Sequence, residues 1–253
     1  MLRRIPMQVL RIGLVPVLAL VPVLAAVIAA GSGCAWARRA SVDVVDPKLR
    51  ASTEPISRDA HPDGFRLGPY AVAKPGLVRE NPDPERLLAK DGAPRPVEQH
   101  RLSLDLVSEP DARAWSVQCI SQRRRPAAIE YAAALDENRD EIAVECDIGD
   151  TGPKWTLRTE AQLSTNFAGR LDATNGERSM TVEVLLFAER WGRLQRHLPD
   201  PVAQIRDGDR IVAAMVLARP EQAWLHPDLD PVEADVAVAA LLGLRFLPLG
   251  LEG

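Results

Sequence analysis

The residues best equipped for chemistry form one short run near the C-terminus, His226-Pro227-Asp228-Leu229-Asp230. An imidazole beside two carboxylates can hold a divalent metal or move protons. His226 and Asp228 are therefore the candidate pair, with His197 as a third member. The same run has a plainer use. Asp230, Pro231 and Glu233 read as the cap, first position and capping-box partner of a helix. Asp228 after Pro227 is ordinary turn chemistry. The turn-and-cap reading is favoured, so no catalytic residue, metal ligand or cofactor is assigned.

Other constellations are sparser. His61, His100, His197 and His226 are dispersed along the chain. No Gly-x-Ser-x-Gly elbow, phosphate-cradling glycine loop, His-Glu-x-x-His or Cys-x-x-Cys occurs. Arg123-Arg124-Arg125 reads as a solvated loop, with contact to anionic lipid or acidic glycan as its functional alternative. The charged turn Asp136–Glu141 lacks the glycine and ligand spacing of a calcium loop. Trp191 and Trp224 read as core residues rather than the walls of a groove.

The elements that would carry these residues are mostly strands. Leu102, Leu104 and Leu106 alternate with polar neighbours, as do Trp115, Val117 and Cys119, and Ile142, Val144, Cys146 and Ile148. Such period-two alternation marks half-buried strands. Ile129–Leu135 continues it or forms a short helix. Trp155–Leu157 and Ala223–Leu225 are further short strands. Asn175-Gly176 and Asp207-Gly208 suit two-residue hairpins with positive φ at both central positions. They precede Met180–Phe187 and Arg210–Leu217, each apolar enough for a central strand. After Asp230 a helix begins, with Val232, Val236, Ala239, Ala240 and Gly243 on one stripe. The expected fold is mainly β (α+β): an antiparallel sheet, as a sandwich or partial barrel, with one C-terminal helix packed on it.

Upstream, nine of the 21 prolines lie between Pro47 and Pro96. Pro82-Asp83-Pro84 and Pro94-Arg95-Pro96 are excluded from helices and central strands. Residues 34–98 are thus expected to be a tether, interrupted by one edge strand at Gly64–Val72, ahead of a globular domain at 99–253.

The N-terminus has three parts. Met1–Arg11 holds three arginines and no acid, Ile12–Ala30 is uncharged, and Gly31-Ser32-Gly33-Cys34 follows. This order marks an export signal over residues 1–33. Ala30-Gly31-Ser32-Gly33-Cys34 resembles the lipobox of bacterial lipoprotein precursors, with Gly31 where that family usually has leucine. The resemblance implies cleavage before Cys34 and acylation of Cys34. Ala35 at the next position implies outer-membrane delivery, facing the periplasm or the surface. Two other outcomes fit the same residues. The apolar run is long enough to span a bilayer uncleaved, and Ala35-Trp36-Ala37 fits release by ordinary signal peptidase. In an oxidising compartment, Cys119 and Cys146 on apolar strand faces are expected to form a disulfide.

Composition narrows the remaining classes. Hydrophobic residues make up 46%, enough for a core. The net charge of −4 becomes more negative once Arg3, Arg4 and Arg11 leave with the signal. An acidic body with only 4% aromatics argues against nucleic-acid binding. Three cysteines exclude a disulfide-dense miniprotein. The function expected is that of a membrane-anchored envelope lipoprotein, a non-enzymatic module that binds or scaffolds an envelope protein partner. The alternatives are a periplasmic hydrolase or metal-dependent enzyme centred on His226 and Asp228, and a small-ligand carrier.

Overall fold

The computed structural model describes residues 41–80, 95–125, 140–149, 154–162, 166–185 and 200–249. Residues 41–44 are helical, and helix α1 (Pro47–Ser52) follows, capped by the Asp46 carboxylate, which accepts from the Lys48 and Leu49 amides at 2.7 and 3.1 Å. Four short strands follow: β1 (Ile56–His61), β2 (Gly64–Leu67), β3 (Tyr70–Ala73) and β4 (Gly76–Glu80). Longer ones come next: β5 (Arg95–Ser108), β6 (Arg113–Arg125), β7 (Glu141–Gly149), β8 (Trp155–Gln162), β9 (Phe167–Ala173) and β10 (Ser179–Leu185). Strands β11 (Val202–Asp207), β12 (Arg210–Val216) and β13 (Gln222–Leu225) lead into helix α2 (Pro231–Phe246).

These strands form an antiparallel barrel. Each pairs with its neighbour in sequence, except that β3 and β4 divide one edge of β5. Tyr70–Val72 of β3 takes Leu106–Ser108, and β4 takes Gln99–Ser103. Closure comes from β1 against β13, where Ile56 faces Ala223 and Ser57 faces Gln222. Twelve strands therefore complete the ring, and β4 is an extra strand beside it. Closure removes the exposed edges that an open sheet must protect. The expected antiparallel β fold with a C-terminal helix is present, and its sheet closes on itself.

The expected tether does not extend over residues 41–80. That stretch supplies α1 and four strands, three of which the ring requires. Proline is accommodated at the boundaries: Pro47 at the start of α1, Pro69 in the β2–β3 turn and Pro75 just before β4. Pro96 lies within β5, at a register irregularity against β6 between Pro96 and Glu98, where a missing ladder donor is tolerated.

Helix α2 occupies the lumen rather than packing outside it. It touches β5, β6 and β7 on one side and β11 and β12 on the other, and β6 and β12 are diametrically opposed in the ring. Ten consecutive residues, Asp235–Leu244, are buried. A helix apolar on every side needs surroundings on every side. Ala237, Ala239, Ala240 and Gly243 keep it slim enough for a lumen already filled by Leu102, Leu104, Val117, Leu157, Leu171 and Val182.

Outside, α1 lies on β12 and β13 and buries a smaller cluster of Val45, Leu49, Val202, Ile211, Ala214, Val216 and Trp224. Strand β12 is consequently buried on both faces, whereas β10 alternates, with Met180, Val182 and Val184 inward. A bulge opposite Ile205 and Arg206 leaves Val212 as the extra residue, so Val212 and Ala213 both join the lumen cluster.

The two ends of the barrel differ. At the upper rim are the turns 68–69, 109–112 and 208–209, together with the start of α2; at the lower rim are 62–63, 74–75, 219–221 and the end of α2. Gly208 has φ +57° in the two-residue Gly208-Asp209 hairpin, which needs positive φ at its first position only. The β9–β10 turn is longer, closed by the Gly176 amide on Ala173 at 2.9 Å with Gly176 at φ +75°. In neither turn does a non-glycine residue take positive φ, contrary to the expected pattern.

Candidate functional site at the lower rim

The expected His226–Asp228 site lies at the upper rim as a turn. The His226 amide donates to Val212, and His226 Nδ1 accepts from the Asp228 amide at 3.2 Å. The Asp228 carboxylate points to solvent, 3.7 Å from both His226 Nδ1 and Arg210. Asp230 caps α2 through the Val232 amide at 2.8 Å. Glu233 does not turn back to complete a capping box. Instead it pairs with Arg178, which also holds Asp207 at 3.0 Å, and the two carboxylates raise the guanidinium pKa further. Among the described residues no group of three His, Cys, Asp or Glu side chains can hold a metal. His197, Trp191 and Cys34 lie outside the described residues.

Beneath that rim a buried carboxylate ties helix to barrel. Asp235 accepts from Arg113 Nε at 2.9 Å and Trp115 Nε1 at 3.1 Å. Burial raises the Tyr70 hydroxyl's pKa well above its ordinary value, and the adjacent Asp235 carboxylate raises it further. Cys119 and Cys146 face each other across β6 and β7 and are joined by a disulfide of S–S 2.08 Å. Both are fully buried beside α2.

Arg123, Arg124 and Arg125 are not a loop but the last residues of β6. Arg123 joins a polar tier at the lower rim, with its Nε 2.7 Å from the fully buried Asp140 and a terminal nitrogen 3.9 Å from Glu98. Arg79 and His100 lie 3.3 and 3.6 Å from the other Glu98 oxygen, Oε1. Of the charged turn 136–141, Asp140 serves this tier and Glu141 begins β7; the rest lies outside the described residues. Trp224 is core, as expected, beneath α1.

The C-terminal end of α2 meets a second buried carboxylate. Glu221 accepts from Arg58 at 3.1 and 3.2 Å and from Arg245 Nε at 3.1 Å, and its side chain is wholly enclosed. Arg58 lies 4.1 Å above the Phe65 ring and Arg245 lies 5.5 Å from that of Phe246. The two rings stand 5.7 Å apart. Two cations, two aromatic faces and one carboxylate thus lock α2 to β1, β2 and the start of β13, in geometry that favours cation–π attraction.

Beside this lock opens a pocket of about 660 Å³ between β4, the β1–β2 turn and the segment before β13. Phe65, Phe246, Leu77, Pro62 and Pro75 give it apolar walls, and Arg58, Lys74, Arg219 and Asp63 give it charge. Leu77 pairs in register with Leu102, so both point inward. Leu102 is fully buried, but Leu77 remains 48% exposed. Lys74 and Arg219 are exposed and form no ion pair among the described residues. A larger groove of about 740 Å³ crosses the outside of β6–β9, but its charges neutralise one another. Arg158 holds Glu145 at 2.9 Å, Arg124 holds Glu160 at 3.3 Å and Arg170 holds Asp172 at 3.2 Å. The lower-rim pocket therefore has the stronger capacity for a ligand: apolar walls with positive charge left over.

No family model, curated protein or solved structure matches the chain.

Proposed function

We propose that the chain is a bacterial cell-envelope lipoprotein, acylated on Cys34, whose barrel is a non-enzymatic binding module. The filled lumen carries the binding-module half of this reading. Among the described residues, Asp235–Leu244 of α2 lie buried along the axis where a barrel carrier would hold its ligand, which weighs against the carrier alternative. The hydrolase alternative loses its centre, because His226 Nδ1 is occupied by a backbone amide and Asp228 faces solvent. Recognition then falls to the rims and the outer surface.

Anchoring rests on the N-terminal residues, the basic and apolar segments and the lipobox-like run ending at Cys34. Ser41 Oγ accepts from the Asp200 amide at 2.7 Å, just before β11 at the lower rim. Cys34 and Ser41 are seven residues apart in sequence, a span of at most about 25 Å. Two or more acyl chains suffice for stable membrane attachment.

Metabolic labelling with palmitate tests the anchor. The wild type takes up label and stays with carbonate-washed membranes, and Cys34→Ala takes up none. An unlabelled wild type in the soluble fraction overturns the reading.

A further inference from the structure

We propose that the lower-rim pocket receives an anionic phospholipid of the bilayer to which the chain is tethered. The phosphate sits between Lys74 and Arg219, and an acyl chain lies along Leu77 and Phe246. The orientation rests on the lipoprotein reading; the chemistry of the pocket does not.

Three observations converge on this occupant. The first is charge. Lys74 and Arg219 are exposed and form no ion pair among the described residues, whereas Glu221 is shared between Arg58 and Arg245 and leaves that trio one positive charge in excess. Asp63 is the single acid in the lining, so the pocket is cationic on an acidic chain. The second is apolar surface without a cover. In the tier Leu77, Leu102, Cys119 and Cys146, three members are fully buried and Leu77 alone is 48% exposed, facing inward beside the pocket. An anionic head with an apolar tail satisfies both features; inorganic phosphate satisfies only the first. The third is position. Ser41 is held at the same rim, seven residues on from Cys34 in sequence, and on the lipoprotein reading this end of the barrel is the one nearest the anchor along the chain. A cationic patch at a membrane surface is attracted to anionic lipid.

The test uses the full-length lipidated protein in phosphatidylcholine vesicles containing phosphatidylglycerol, with a photoreactive group on the acyl chain of one lipid or the other. After irradiation, adducts are mapped by mass spectrometry. Photoreactive phosphatidylglycerol is expected to label the peptides holding Leu77 and Phe246, and phosphatidylcholine to label them weakly. Labelling falls about tenfold or more in the exposed charge reversal Lys74→Glu/Arg219→Glu and rises in Asp63→Lys. Leu77→Gln lowers it without adding charge to the pocket. Adducts confined to residues 34–40, or pocket adducts equal for the two lipids or indifferent to the charge reversal, overturn the proposal. The same experiment on full-length Cys34→Ala added to vesicles separates the two claims. Charge-dependent pocket labelling of a chain that is never acylated supports the site independently of the anchor, which stands or falls on palmitate uptake by the wild type.

Discussion

Gly243 of α2 lies against the Cys119–Cys146 disulfide so closely that a Cβ at this position would stand 2.9 Å from Cys119 Sγ and 3.3 Å from Cys146 Sγ. A disulfide sulfur cannot swing aside as the end of a flexible side chain can. Helix propensity favours Gly243→Ala by about 1 kcal/mol, but overpacking a filled core costs about 1–3 kcal/mol. The collision wins. Gly243→Ala is expected to be destabilised in urea denaturation, and Gly243→Ala with Cys119→Ala and Cys146→Ala to recover much of that loss relative to the cysteine-free parent.

The disulfide itself closes a loop across 27 residues of sequence separation. Constraining the unfolded chain in this way contributes about 3–4 kcal/mol. Reduction, or the double alanine variant, should lower the urea midpoint accordingly. A midpoint unchanged by reductant would contradict a bridged native state.

Tyr70 makes the barrel sensitive to alkali. Its hydroxyl is held protonated, first by burial and then by the Asp235 carboxylate. The unfolded chain releases this proton near the ordinary tyrosine value of about 10. Above that pH the folded state therefore binds more protons than the unfolded one, and stability falls as pH rises. Below it the contribution is fully present. Tyr70→Phe should flatten the alkaline slope of stability relative to wild type, at the cost of a hydrogen bond near neutrality. Absorbance titration should show Tyr70 ionising only as the protein unfolds.

Glu221 is the shared counter-charge of two guanidiniums in an enclosed site. Glu221→Gln keeps the shape but leaves Arg58 and Arg245 facing each other without a counter-charge. The expected loss is about 2 kcal/mol, in the range for hydrogen bonds to charged groups. Glu221→Ala should cost more, because a void is added. Thermal denaturation of both variants, with Arg245→Met/Glu221→Met as the apolar replacement, separates charge from packing.

Much of the barrel was legible where side chains alternate. The inward faces of β5, β6 and β7 follow from Leu102–Leu106, Trp115–Cys119 and Ile142–Ile148, and the start of α2 follows from Asp230 and Pro231. The lumenal position of α2 was written in the same residues: nothing charged occurs from Val236 to Leu244, and such a helix has no face to offer water. Strands β1–β4 were harder to read. They are four to six residues long, bounded by proline, and make sense only through pairings such as Ile56 with Ala223, far away in sequence. The lower-rim pocket left no local trace, since Phe65, Lys74, Leu77, Arg219 and Phe246 come from separate segments. Asp235 and Glu221 look like surface acids until the register places Trp115 and Arg58 beside them.

The most direct test of the account is the intact mass and N-terminal peptide of the mature protein purified from membranes. The account predicts residues 34–253 beginning with Cys34 and carrying a diacylglyceryl thioether. A mature chain beginning at Arg38 with no lipid, or one that retains residues 1–33, would contradict it.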